Sequence, residues 1–350
     1  MSTISIPPLD AAAALAARER IDQLTKPVGS LGRIEELAER LAAIHGDLPP
    51  LYERRTILVG AGDHGVVAEG VSAYPTEVTP QMIGAFLGGF AAINAFARVA
   101  KAEVFVVNFG VAADLPQHER LLGTPVGRGT RNFAREAAMS SSDVDRALQA
   151  GMSAFSAVAD RVDPQLVALG EMGIGNTTSA AAVICAITGA SPEDVVGRGT
   201  GLDDDGLRRK LGVVSSALAR MRSREWRTVA SEVGGYEIVG LAGVLLAAAS
   251  RRIPVLLDGF IVASAALLAQ AIAPASVGYC IAAHRSRELG HAVALRHLGL
   301  VPLLDLDLRL GEGSGAALAM PLCDAASRMV REMKTFAQAG VATANEPIQA

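Results

Sequence analysis

The sequence predicts an α/β protein: an open, doubly wound, mainly parallel sheet with helices on both faces. Two observations carry that reading. Short apolar runs, most of them followed by glycine and a polar residue, alternate with longer segments of helical period, the pattern of strands buried under crossover helices. Composition agrees: of 350 residues half are hydrophobic but only 4% aromatic, so alanine, valine and leucine fill the core, and 36 glycines are available for turns and close approaches.

Taken in order, Leu9 to about Ile44 has helical spacing, interrupted at "TKPVGSLGR", where Pro27 and two glycines stop one helix before "IEELAERLAAI" begins another. Six apolar runs then read as strands: 56–62, 103–110, 166–173, 254–260, 277–283 and 302–308. Between them lie helical segments at 82–100, 141–162, 176–188, 238–250 and 260–272. The C-terminal "CDAASRMVREMKTFAQAG" reads as a last amphipathic helix that packs with the N-terminal helices. Residues 50–320 are therefore expected to form a large α/β domain, and 1–49 with 321–350 a small helical one. Phe260–Ala283 carries no charge and is long enough to cross a bilayer, but Gln270, Pro274, Ser276 and Gly278 divide it into a helix, a turn and a strand.

A net charge of −4, with no basic run interleaved with aromatics, argues against nucleic acid as a partner. Cys185, Cys280 and Cys323 are odd in number and have no metal-ligand spacing, which fits buried thiols in a reducing compartment. The N-terminus shows no basic stretch followed by an apolar one, so no membrane partner and a cytoplasmic location are expected.

"GAGDHG", residues 60–65, spells a dinucleotide fingerprint after a strand, but the segment that follows is rich in glycine, proline and β-branched residues instead of opening a helix. An NAD-dependent oxidoreductase is thus an alternative of low specificity. Asp63 and His64 read equally as a hydrogen-bonded turn, and His284 and His291, seven apart, do not have the spacing of a zinc motif. In "GEMGIGNTTSAAA" a strand ends at Glu171, and a glycine turn opens a helix with Asn176, Thr177 and Thr178. Free amides and hydroxyls at a helix N-terminus suit phosphate, although the same residues serve as plain caps. Two of four lysines, Lys26 and Lys210, stand beside glycine loops, which suits anion handling; for Lys210 the other reading is a charge on a helix surface. In "LDLRLGEGSGA" Glu312 stands between Gly311 and Gly313, either a solvated turn acid or a base beside a dry slot.

Eight stretches together resemble the nicotinate-nucleotide:dimethylbenzimidazole phosphoribosyltransferases: "TKPVGSLGRIEELA", "GAGDHGVVAEGVSAYPTEVTPQM", "GEMGIGNTTSAAA", "GRGTGLDDDGLRRK", "VGGYEIVGLAG", "LLDGFIVASAAL", "AHRSRELGH" and "LDLRLGEGSGAALAMPL", in the family's order. The resemblance implies a Rossmann-like large domain, a small helical domain from both chain ends, and a homodimer. It implies transfer of phosphoribose from nicotinate mononucleotide to dimethylbenzimidazole in cobalamin assembly, releasing nicotinate and giving α-ribazole phosphate, without metal or other cofactor. On this family's pattern Glu312 is the general base and Glu171 lies at the ribosyl end of the site. Gly175, Asn176, Thr177, Thr178, Lys210 and Ser286 fall on phosphate or ribose contacts, and Ser72, Tyr74 and Gln81 on the base pocket. The sequence departs from the pattern at Asn108 and Phe109, a departure expected to bear on which aromatic base is preferred. A non-catalytic nucleotide sensor that keeps the same site is a second alternative.

The implied reaction explains a lone acid. The pyridinium of the nucleotide leaves as a neutral ring, so no general acid is needed. The attacking benzimidazole becomes cationic and must lose its other N–H proton, so one carboxylate suffices. Gly311 and Gly313 are read as clearance for a flat ring, with Leu310 or Leu318 as a dry wall.

Overall fold

Parallel pairing joins all six strands of the sheet, in the order β3 (Leu121–Leu122), β2 (Ala102–Gly110), β1 (Arg55–Gly62), β4 (Leu166–Met172), β5 (Val255–Leu257) and β6 (Cys280–Ala282). A computed structural model describes residues 4–342. The chain divides into two compact units, the larger containing Arg54–Met320 and the smaller Pro8–Glu53 with the chain from Pro321 onward.

In the smaller unit, α1 (Ala11–Gln23) is capped by Asp10, whose carboxylate accepts the Ala13 amide, and α2 (Arg33–His45) ends at left-handed Gly46. Lys26 and Glu35 form a buried ion pair at 2.9 Å, so Lys26, read from sequence as an anion-handling lysine, has its charge already matched. Thr25 donates its amide to the Lys334 carbonyl, and Arg20 reaches the carbonyl of Val330, so both chain ends are interlocked here.

The larger unit contains all six strands. Its helices are α3 (Val78–Gly88), α4 (Ala92–Ala100), α5 (Ser141–Val162), α6 (Asn176–Thr188), α7 (Pro192–Val195), α8 (Asp204–Arg220), α9 (Trp226–Val233), α10 (Tyr236–Ser250), α11 (Phe260–Ile272) and α12 (Leu289–Leu298). From this unit α13 (Ser314–Glu332) runs on into the smaller one, the division falling at Pro321 within the helix, and α14 (Phe336–Ala339) follows. The expected helices at 141–162, 176–188 and 260–272 form with those limits. Each ends where the backbone leaves helical φ/ψ: Asp163 and Gly189 are left-handed, and Ala273, preceding Pro274, is extended.

Three expectations change. The C-terminal run 323–340, expected as one helix, is divided between the end of α13 and α14. The segment 82–100, expected as one helix, starts earlier at Val78 and breaks at left-handed Gly89, giving α3 and α4. By length and composition Val78–Ala100 is apolar enough to cross a membrane, but it is not one continuous rod. The run at 302–308 makes one bridge, His284 to Leu304, and then departs from strand geometry as Asp307 takes a φ of 56°. The outer strand beside β2 is instead the two-residue β3, too short to register in a pattern of alternation.

Small residues among the larger apolar side chains of the core let its helices approach closely. A Cβ on Gly151 of α5 would stand 1.8 Å from the Gly240 carbonyl oxygen of α10, so these helices cross at backbone contact. β1 and β4 are neighbours from which the sheet grows in opposite directions, which places the topological switch at their carboxyl ends. There the chain delivers Asp63 and His64 after β1, Glu171 on β4, Asp258 after β5 and His284 after β6.

Candidate active site

A cleft of about 460 Å³ opens at these strand ends. Its lining includes Glu171, Asn176, Thr177, His284, Ser286, Arg309 and Glu312, with Tyr74, Val78, Met82, Phe260 and Leu310 as apolar surface.

Glu171 is the penultimate residue of a strand whose every preceding residue is buried, so its carboxyl is held at the cleft head with little water. Asn176 donates its side-chain amide to Glu171 Oε2. Burial pushes the Glu171 pKa up to about 8 against that hydrogen bond, with the charges of Asp258, Glu237 and Glu312 adding to the rise. A group with that value is mostly protonated at neutral pH and presents an O–H.

After β4 the chain turns through Gly173–Gly175. Gly175 has a φ of 92° and leaves the first amides of α6 unpaired by any side-chain cap. Asn176 and Thr177 face the cleft, and Thr177 Oγ1 accepts a 2.8 Å hydrogen bond from Lys210 Nζ. Lys210 is fully buried, not a helix-surface charge, and burial lowers its pKa to about 8, opposed by the nearby Glu288 carboxylate. Ser286 lies across the cleft; its amide donates to His291 Nδ1 at 2.9 Å, and its Oγ accepts from the Glu288 amide at 3.3 Å. Burial takes the His291 pKa down to about 3, so a neutral ring anchors this loop, its centroid 6.1 Å from that of His284.

Glu312 is 5% exposed and sits in a run of three left-handed residues, with φ of 84°, 65° and 90° at Gly311, Glu312 and Gly313. A non-glycine residue there costs of order 1 kcal/mol, so the loop must be held by its surroundings. Glu312 Oε2 accepts the Ile93 amide at 3.2 Å, at the start of α4. Burial raises the carboxyl pKa, the Ile93 bond opposes the rise and Asp258 adds to it. The adjoining glycines allow close approach of protein atoms, and Gly311 also lines the cleft. A Cβ on Gly311 would fall 2.2 Å from Glu171 Oε1, and one on Gly313 3.2 Å from Ile57 Cγ2. Gly170 completes the fit, since its Cβ would stand 2.3 Å from the Glu312 carbonyl oxygen. Glu171 and Glu312 are thereby brought to the same end of the cleft.

Some expected contacts lie elsewhere. Thr178 is fully buried and, like Gly175, does not line the cleft; nor does Gly313. Of the residues expected at the base pocket, Tyr74 lines it. Ser72 instead bonds the Tyr74 amide at 3.2 Å and lies 3.4 Å from Thr200 Oγ1, and Gln81 is exposed beside Met82, which does face inward. Leu310, not Leu318, forms part of the apolar wall. Asn108 and Phe109 are also outside the cleft: Asn108 Oδ1 accepts the Val111 amide at 3.0 Å, and Phe109 packs against α10 at Gly240. Phe109 belongs to the core, while Asn108 borders a separate depression with Val111, Asp114 and Arg128.

The fingerprint "GAGDHG" ends in a five-residue 3-10 helix, Gly65–Glu69, so no α-helix N-terminus faces a pyrophosphate there. Asp63 accepts the Ala112 amide at 2.8 Å, and His64 Nε2 pairs with buried Glu237 at 2.7 Å. Asp258, unnoticed in sequence, accepts the amides of Gly313 at 3.1 Å and Ala316 at 3.0 Å and lies 3.5 Å from His284 Nε2. An acid followed by glycine at the end of the strand "VLL" was the available signal.

A family model described as phosphoribosyltransferase matches residues 6–341. The nicotinate-nucleotide–dimethylbenzimidazole phosphoribosyltransferase of Chloroflexus aggregans is 53% identical over 344 residues, spanning 97% of each chain. That of Deinococcus radiodurans is 49% identical, covering 95% of this chain and 93% of its own. A crystal structure of the enzyme from Thermus thermophilus superposes with a TM-score of 0.91 at 49% identity, over 96% of this chain and all of that one. This chain belongs to the nicotinate-nucleotide–dimethylbenzimidazole phosphoribosyltransferase family.

Proposed function

We propose that the protein transfers phosphoribose from nicotinate mononucleotide to dimethylbenzimidazole, releasing nicotinate and forming α-ribazole phosphate for the nucleotide loop of cobalamin. The observation that carries this reading is the pairing, in one cleft, of a buried carboxyl at Glu312 with Asn176 and Thr177 at the start of α6, backed by Lys210. The phosphate is assigned to the Asn176 and Thr177 end of α6, with Lys210 reinforcing Thr177 from behind and Ser286 on the opposite wall. Glu171, protonated at neutral pH, is suited to donate to a ribose oxygen near the anomeric carbon. A nitrogen of dimethylbenzimidazole attacks that carbon as the bond to the pyridinium nitrogen breaks, and the bond pair leaves with the neutral nicotinate nitrogen. The proton on the second benzimidazole nitrogen passes to Glu312 Oε, whose burial suits it to a proton transfer near neutrality. Tyr74, Val78, Met82 and Leu310 offer the apolar surface for the base, with Ser72 and Gln81 as outer neighbours.

The decisive experiment is incubation with nicotinate mononucleotide and dimethylbenzimidazole, followed by mass detection of α-ribazole phosphate. Binding of the nucleotide without release of nicotinate would identify a sensor instead. Protection against thermal unfolding by NAD, which is not expected, would favour the oxidoreductase. The reading extends to a cytoplasmic homodimer: the three cysteines are free and buried, as suits a reducing compartment. Light scattering should give twice the 36.1 kDa chain mass, and a single-chain mass would remove the dimer.

A further inference from the structure

We infer that Asp258 is a positioning residue for Glu312, clamping the loop that carries it by accepting the backbone amides of Gly313 and Ala316 with its two carboxylate oxygens. This deepens the reading above and rests on Glu312 being the base.

The clamp is needed because the loop is unfavourable by itself. Gly311, Glu312 and Gly313 are all left-handed, and the conformation at Glu312 has a steric cost that a free loop would relax. Asp258 stands at the end of β5, a central parallel strand, and is 1% exposed. Its Oδ2 takes the Gly313 amide at 3.1 Å, the peptide immediately after Glu312, and Oδ1 takes the Ala316 amide at 3.0 Å in the first turn of α13. One carboxylate thus locks both the exit of the loop and the start of the helix to the sheet. From the other side Gly170 of β4 admits the Glu312 carbonyl oxygen at a distance no side chain would allow. With peptide and helix both fixed, the Glu312 side chain is left with the Ile93 amide as its partner and one direction in which to face the cleft. His284 Nε2, 3.5 Å from Asp258 Oδ1, orients the carboxylate, and Gly315 makes room for that ring, since a Cβ there would lie 2.0 Å from His284 Cδ2.

The charged and titratable groups around Glu312 are Asp258 after β5, Glu171 on β4, His284 after β6 and Arg309 in its own loop. Asp258→Asn keeps the size and one acceptor while losing the second. It should fold, lower kcat roughly 10- to 100-fold, leave KM for nicotinate mononucleotide within about twofold, and move the acidic limb of kcat to lower pH as a negative neighbour of Glu312 is lost. In a Glu312→Gln background the same change should cost less than about threefold, because it acts through a group already removed.

Additive losses in the double variant, or an unmoved acidic limb with kcat tracking thermal stability, would overturn the proposal. Full activity in Asp258→Asn would do so too. The underlying assignment fails separately, if Glu312→Gln alone keeps its turnover. Should Asp258→Asn not fold, the unmodified protein still decides: amide exchange must protect Gly313 to the degree of Ala316, and rapid exchange at Gly313 alone would show that no clamp forms.

Discussion

Glu312 and Glu171 are two buried carboxyls whose surroundings give them different work. Replacing Glu312 with Gln should leave the fold intact and lower kcat about 100-fold or more, measured by nicotinate release. Because burial raises its pKa above the ordinary 4.5, activity should fall as pH drops through a value higher than that of a free glutamate. Glu171 bears on stability. Its folded pKa of about 8 exceeds the ordinary 4.5, so between those values the folded protein binds more protons than the unfolded chain, and stability is lost as pH rises through that window. Glu171→Gln, which never ionises, should therefore raise Tm by roughly 5 °C at pH 8 and by much less at pH 5. Equal Tm changes at both pH values would contradict the buried, protonated acid.

The elements matter through where they end. α6 begins at a left-handed glycine that no β-branched residue could replace without strain, and the turn sets Asn176 and Thr177 facing the cleft at the proposed anion site. Thr177→Val removes the hydroxyl that links Lys210 to that site. It should raise KM for the nucleotide about tenfold with a smaller effect on kcat, and a ligand-bound crystal structure should show the phosphate beside residues 176 and 177. A separate test concerns the α5 and α10 crossing. Gly151→Ala places a methyl into the Gly240 carbonyl and should lower Tm by several degrees in a melting curve, since packed helices cannot separate locally to admit it.

For the molecule as a whole, the doubly wound topology brings the ends of β4, β5 and β6 to one cleft and supplies each with an acid or a histidine. Two groups change charge at about pH 8: Lys210, behind the proposed phosphate position, loses its proton, and Glu171, at the ribosyl end, gains a negative charge. Both changes oppose an anionic substrate. kcat/KM for nicotinate mononucleotide should accordingly fall above about pH 8 in a steady-state profile, while kcat measured at saturation falls less. A flat kcat/KM up to pH 10 would mean that Lys210 keeps its charge, or does not serve the phosphate.

Most of the chain's local periodicity survives unchanged into the fold. The helices at 141–162, 176–188 and 260–272 and the places of the first five expected strands are legible along the chain, because apolar spacing and stop signals are local properties. Glu171, Asn176, Thr177, Lys210, Ser286 and Glu312 are singled out by their motifs, and all but Lys210 line one cleft, with Lys210 bonded to Thr177 behind it. Long-range contact settled the rest. Whether 302–308 was a strand depended on a neighbour able to pair with it, and β3 took its two residues from a stretch without any period. The glycines around Glu312 are also where β4, Glu171 and His284 approach the loop closely, which the sequence does not show. Asp258 is not singled out in the sequence, since its partners lie 55 and 58 residues further on. A hydrogen bond across such a distance leaves no trace in local spacing, and only the packed sheet brings donor and acceptor together.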